Sequence, residues 1–139
     1  MSRVICIYAF DKELVTMKEY KFKWGRVYYF DEHILCLEYI DEHIVDEDNV
    51  IEFHSIFNQE AENRKLKLLV LPGQNTSATR EAREYSQNST LKCKAEAILI
   101  HSLAQRIISN FYISFKNKAD YPIKMFNTKD EAVKWLKSI

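Results

Sequence analysis

Between Ala95 and Ile139 the chain reads strand, amphipathic helix, short strand, capped helix, with almost nothing in between. No other stretch constrains the fold as much. A strand that returns to its own sheet through a helix makes a crossover, so the sheet carries helical crossovers. Ala95-Glu96-Ala97-Ile98-Leu99-Ile100 is the inner strand of this unit. Ser102 caps a helix that runs to about Lys116. Leu103, Ala104, Ile107, Ile108, Phe111 and Phe115 form its expected buried stripe, with Tyr112 and Ile113 outside it. The apolar surface therefore covers more than one face and hints at a second contact. Pro122-Ile123-Lys124-Met125-Phe126 is a short strand, and a proline at its start suits an edge. Thr128-Lys129-Asp130-Glu131 is a capping box, and the helix after it buries Ala132, Val133, Trp135 and Leu136.

Further strands and helices are legible upstream, without an internal repeat. Leu66 to Leu71 is a nearly continuous apolar run closed by Pro72-Gly73, as a central parallel strand requires. Ala78 to Gln87 is helical, with Ser77 or Thr79 as N-cap. Asp46 to Asn63 is a helix that opens on three acids and places Val50, Phe53, His54, Phe57 and Ala61 on one face. Tyr20, Phe22 and Trp24 alternate with Glu19, Lys21 and Lys23, the period of a half-exposed strand. Gly25 reads as a bulge or bend in it, with Val27 to Phe30 continuing. Ile34 to Ile40 is its hairpin partner across the turn Asp31-Glu32-His33. Residues 1–16 read as an N-terminal extension or an extra strand, apolar on both faces. The expected architecture is α/β: a mixed β-sheet with an N-terminal hairpin and about four helices packed on it.

Composition narrows the function classes. A chain of 139 residues is one domain and buries about two-thirds of its unfolded surface, so it folds without a metal or disulfide. Lys and Arg number 20 and so do Asp and Glu, giving zero net charge, which argues against a nucleic-acid partner. No apolar stretch is long enough to cross a bilayer. The apolar start Val4 to Phe10 meets Asp11-Lys12-Glu13 and lacks a cleavage site, so a cytoplasmic location is expected. Cys6, Cys36 and Cys93 lack CxxC spacing and read as buried, reduced thiols.

Chemistry-bearing residues are sparse. His33, His43, His54 and His101 have no metal-ligand spacing. His101-Ser102 lacks the elbow that would expose a nucleophile. Arg80, Arg83 and Arg106 are candidates to meet an anion near strand ends, with surface pairing to Glu81 and Glu84 as the alternative. The acids between Asp31 and Asp48 read as solvated turns and a helix start. No cofactor, no metal and no catalytic set is expected. His101 stands out because it follows an inner strand at the end where open α/β sheets hold ligands.

Leu69-Val70-Leu71-Pro72-Gly73, followed by Ser77-Ala78-Thr79-Arg80-Glu81-Ala82-Arg83-Glu84-Tyr85, resembles part of a bacterial group of STAS-like, SpoIIAA-like domains. STAS denotes the sulfate-transporter and anti-sigma-factor-antagonist domain. Ala97 to Ile100, Asn110-Phe111-Tyr112, Tyr121 to Phe126 and Glu131 to Leu136 carry the same resemblance, which covers residues 17–139 as a single domain. It implies a sheet with helices beside it and a regulatory or protein-binding role without catalysis. Phosphorylatable members carry an Asp-Ser-Ser-Gly type motif, and here Thr79-Arg80-Glu81-Ala82 stands at that place. Both serines, the Asp and the Gly are missing. Ser77, Thr79 and Arg80 are thus the candidate switch or anion loop. His101, Phe111, Tyr112, Ile113 and Phe115 are the candidate interface or ligand surface. The expected partner is a protein, with a homodimer as one form. The alternative is a carrier for a small hydrophobic ligand or lipid, in the manner of the CRAL-TRIO relatives of the fold.

Overall fold

The computed structural model describes the backbone of residues 2–10, 13–115 and 121–139, and the side chains of 18–114 and 121–139. Cys6, the Phe115 side chain and the two faces of the first strand lie outside the described residues. Four strands form an antiparallel meander: β1 (Ser2–Phe10), β2 (Glu13–Phe22), β3 (Gly25–Asp31) and β4 (Ile34–Tyr39). From β4 the sheet continues parallel through β6 (Lys67–Leu71), β8 (Glu96–Leu99) and β9 (Ile123–Phe126). The order β1-β2-β3-β4-β6-β8-β9 moves steadily outward in one direction. Helices α1 (Glu47–Glu60), α2 (Arg80–Asn88) and α3 (Leu103–Phe115) make the crossovers, and α4 (Lys129–Lys137) closes the described chain. A short parallel pair, β5 (Ile44–Val45) with β7 (Ser77–Ala78), sits beside the sheet. The fold is a mixed α/β sheet with four helices, as the sequence leads one to expect.

One local expectation is corrected. Gly25 is not a bulge within a single strand. The chain reverses at Lys23-Trp24, so β2 and β3 are separate antiparallel strands. Gly25 has φ +154°, and a Cβ there would stand 2.0 Å from the Glu38 carbonyl oxygen, so only glycine fits. The next turn is held by Asp31, whose Oδ1 accepts from the amides of His33 (2.8 Å) and Ile34 (3.0 Å). The strand β2 also runs through the boundary at 16/17, pairing with β1 from Glu13 onward.

Strand alternation divides the core in two. Leu35, Leu37 and Leu68 point to the α1 side with Phe53, Ile56 and Phe57. Ile34, Cys36, Leu69 and Leu71 point to the α4 side with Ala95, Ala97, Ala132 and Leu136. Both faces of these strands are apolar because both are covered. Helix α1 is fixed at each end. Asp46 and Asn49 form a reciprocal capping box, and Glu60 accepts from the hydroxyls of Tyr20 (2.9 Å) and Tyr29 (2.6 Å). Helix α4 starts at its Thr128 cap, as its sequence signature predicts.

Candidate functional site

Helices α1, α2 and α3 roof the sheet but do not fill the space beneath them. A cavity of about 200 Å³ remains over the parallel strands. Its floor is Leu37, Leu68, Val70 and Ile98; Val50 and Phe53 line the α1 wall and Ala82 the α2 wall. The reason lies in α3. The inward side of this helix carries Gln105, Ile108, Ser109 and Tyr112, while Leu103, Ile107 and Phe111 lie on the outer side. Leu103, Ile107 and Phe111 are 72%, 49% and 61% exposed. That overturns most of the expected stripe: Leu103, Ala104, Ile107 and Phe111 are exposed, Ile108 alone of its described members lines the cavity, and Tyr112, read as outside, faces it. Polar partners explain the inversion. Buried Gln105 donates through Nε2 to the carbonyls of Gly73 (3.0 Å) and Thr76 (3.3 Å), and its Oε1 accepts from the His101 amide (2.8 Å). Tyr112 donates to Glu96 Oε1 at 3.1 Å. Satisfied buried polar groups set the rotation of the helix, because leaving them unpaired costs about 1–3 kcal/mol each.

Glu96 is the electrostatic centre of the cavity wall. It sits on β8, 3% exposed, within a strand that is otherwise apolar. Three phenols register its charge. Burial, then the Glu96 carboxylate, pushes the Tyr112, Tyr121 and Tyr39 hydroxyls well above the ordinary tyrosine range. His54 on α1 lies 2.9 Å from the Ser89 hydroxyl through Nδ1 and meets the rings of Phe53 and Tyr85 edge-on. Arg83 is exposed and donates to the Ala78 carbonyl (2.9 Å).

The loop after β6 closes the strand-end side of the cavity. Gly73 approaches the Ile40–Asp41 backbone so tightly that a Cβ would lie 2.7 Å from the Asp41 nitrogen. Asp41 Oδ1 accepts from the Gln74 amide (2.7 Å), and the Thr76 hydroxyl donates to the Ile40 carbonyl (3.1 Å). His101 donates from Nε2 to the Pro72 carbonyl (2.9 Å), so it clamps this loop from an exposed position.

The remaining sequence candidates fall in separate places. Ser77, exposed in β7, does line the cavity; the others do not. Thr79 is the N-cap of α2, its Oγ1 accepting from the Ala82 amide at 3.1 Å. Arg80 is exposed and paired with Glu84 at 2.8 Å. Arg106 donates to Asn127 Oδ1 at 3.0 Å, so the three arginines have three different partners. Ile113 is half-buried. Cys36 is buried and its thiol is pushed up to about 12, mainly by burial. Cys93 donates to the Ala95 carbonyl. Among the described residues, no three His, Cys, Asp or Glu side chains gather as a metal site would require, and no helix is long and apolar enough to cross a membrane. Sequence reasoning missed Glu96 and Gln105. The signal for Glu96 was present: a lone acid inside an apolar strand is buried only with partners.

The chain belongs to the family described as Domain of unknown function (DUF7793), whose match spans residues 28–139. The matched region starts within β3 and takes in the whole cavity. Comparison with curated proteins returns no match.

Proposed function

We propose that this member of the family is a STAS-like binding domain that takes a small, largely apolar ligand between its sheet and helices α1–α3. The observation that carries the reading is the cavity of about 200 Å³ with a mostly apolar lining, into which His54, Gln87, Glu96, Gln105, Ser109 and Tyr112 bring polar groups. Apolar cavities of about 150 Å³ stay dry and bind benzene. This one accommodates one or two rings. A long acyl chain needs more room, so the lipid-carrier form of the reading is the weaker one. The mixed sheet with its helices supports the resemblance to STAS domains. The missing serine motif and the capping role of Thr79 speak for control by ligand or partner in place of phosphorylation.

The test is titration of benzene and indole into the full chain, followed by methyl resonances of Val50, Val70 and Ile98. Saturable shifts at these methyls are expected. Shifts confined to surface methyls would remove the reading.

A protein-facing role is favoured by a second observation. Helix α3 presents Leu103, Ile107 and Phe111 to solvent at positions i, i+4 and i+8. Within α3 the sole charged side chain is Arg106, already bonded to Asn127. A second copy meets such a face without like-charge repulsion, so a homodimer is the partner proposed. Sedimentation equilibrium across a wide concentration range checks it, and a strict monomer at the highest concentration removes it.

A further inference from the structure

We infer that the cavity takes a ring bearing a hydroxyl or an amide, with the ring on the sheet and the polar group between α2 and α3. The inference rests on the ligand-binding reading above and names the class of ligand. The floor of the cavity is hydrocarbon from Leu37, Leu68, Val70 and Ile98. Its polar groups come largely from the helices, and they are of two kinds. Gln105 and Tyr112 are committed within the chain, to the carbonyls of Gly73 and Thr76 and to Glu96. His54 meets the Ser89 hydroxyl. Ser86 and Gln87 on α2 and Ser109 on α3 are different. All three line the cavity and are half-buried, and none makes a side-chain hydrogen bond among the described residues. Helical spacing gathers them. Ser86 and Gln87 follow Arg83 at i+3 and i+4, and Ser109 follows Gln105 at i+4, so each shares the cavity side of its helix. The inward side of a helix is ordinarily apolar. Here it offers two hydroxyls and one amide, groups that both donate and accept. A hydrocarbon that covers them takes them from water and gives nothing back, and an unmade hydrogen bond is costly. A hydroxyl or an amide on the ligand replaces the lost water, while its ring lies against the hydrocarbon floor.

The experiment compares toluene with benzyl alcohol, which differ by one hydroxyl, against the full chain by calorimetry and intermolecular NOEs. In a lining without free partners the hydroxyl would weaken binding about tenfold or more, because its lost hydration has no replacement. Here benzyl alcohol is expected to bind at least as tightly as toluene. NOEs are expected from the ring to the Val70 and Ile98 methyls, and from the carbon bearing the hydroxyl to Gln87 and Ser109. Ser86→Ala, Gln87→Leu and Ser109→Ala together remove the free groups, and should shift the ratio about tenfold toward toluene. Alanine and leucine are good helix formers, which favours folding of this variant. Toluene binding about tenfold more tightly than benzyl alcohol to the unmodified protein overturns the inference, as does a ratio that the triple substitution leaves unmoved. In either case toluene binding leaves the ligand reading standing. If neither probe binds, the ligand reading fails and this inference fails with it. If the triple variant does not fold, Gln87→Leu and Ser109→Ala tested singly decide, each with a shift of about threefold toward toluene.

Discussion

The sheet face under α4 mixes alanines with large aliphatics, whereas the face under α1–α3 is built from large residues. Ala95, Ala97 and Ala132 let α4 settle against β8 until Leu136 is wholly buried. The Lys67 amine then ties down the far end, donating to the carbonyls of Leu136 and Ile139 at 2.6 Å each. On the other face Phe53, Phe57 and Leu68 hold α1 close, but α3 stands off on polar contacts and leaves a cavity. Interiors are normally packed with few voids larger than a water. The space beneath α3 is what the proposed ligand-binding reading rests on.

Truncation tests this contrast most severely. Leu136→Ala on the tight face should lower the unfolding free energy by about 2–5 kcal/mol in urea titration. Ile108→Ala on the half-buried wall of an existing cavity should cost about 1 kcal/mol, since fewer packed atoms are lost. Equal losses would show that α3 packs like α4, and the distinction would collapse.

Enlargement gives the next largest effect, with the opposite asymmetry. Ala97→Leu forces extra carbons between β8 and α4 and should cost about 1–3 kcal/mol. Val70→Leu pushes one methylene into the cavity and should cost less than about 1 kcal/mol while weakening benzene binding. A Val70→Leu protein as unstable as Ala97→Leu would mean that the space is not available to a side chain, still less to a ligand.

The tight face also carries a pH signature. The Cys36 thiol is raised from 9.0 to about 12 by burial between sheet and α4. The unfolded thiol releases its proton above about pH 9, while the folded one keeps it until about pH 12. Between those values the unfolded state binds fewer protons, so stability present below pH 9 is lost as pH rises. For this group the slope is at most about 1.4 kcal/mol per pH unit. Cys36→Ala should flatten the decline by that share in alkaline denaturation curves. An unchanged slope would show a thiol with water access, and a looser α4 face than its alanines imply.

The same contrast explains what was legible in the sequence. Elements governed by local pattern were readable: the parallel run Leu66–Leu71, the acid-led α1 and the Thr128 cap of α4 all form where their residues place them. Gly25 was legible as an interruption but not as a reversal, because the reason is the Glu38 carbonyl on β4, thirteen residues on. The orientation of α3 was not legible. Apolar spacing favours burying Leu103, Ile107 and Phe111, and nothing local says that Gln105 reaches Gly73 and Thr76, or Tyr112 reaches Glu96. Of the candidate residues, Tyr112 and Ser77 line the cavity and His101 holds its loop, while Thr79 caps α2 and Arg80 pairs on its surface. Sites made by long-range polar bonds escape periodicity, which sees only one helix at a time.

The smallest stability effect belongs to the exposed ridge of α3, and it separates the two sides of that helix. Leu103→Ala combined with Phe111→Ala removes two side chains that face solvent in the isolated chain. Substitutions at such positions usually stay within about 0.5 kcal/mol, and alanine is the better helix former at both sites. Unfolding free energy and benzene affinity should therefore hold, because neither residue lines the cavity. Self-association in sedimentation equilibrium should fall, because Phe111 and Leu103 provide the apolar contact that a second copy would cover. A loss of more than about 1 kcal/mol would mean that the ridge packs within its own chain. Unchanged self-association would move the protein-facing role off α3 and leave the cavity side as the working side of the helix.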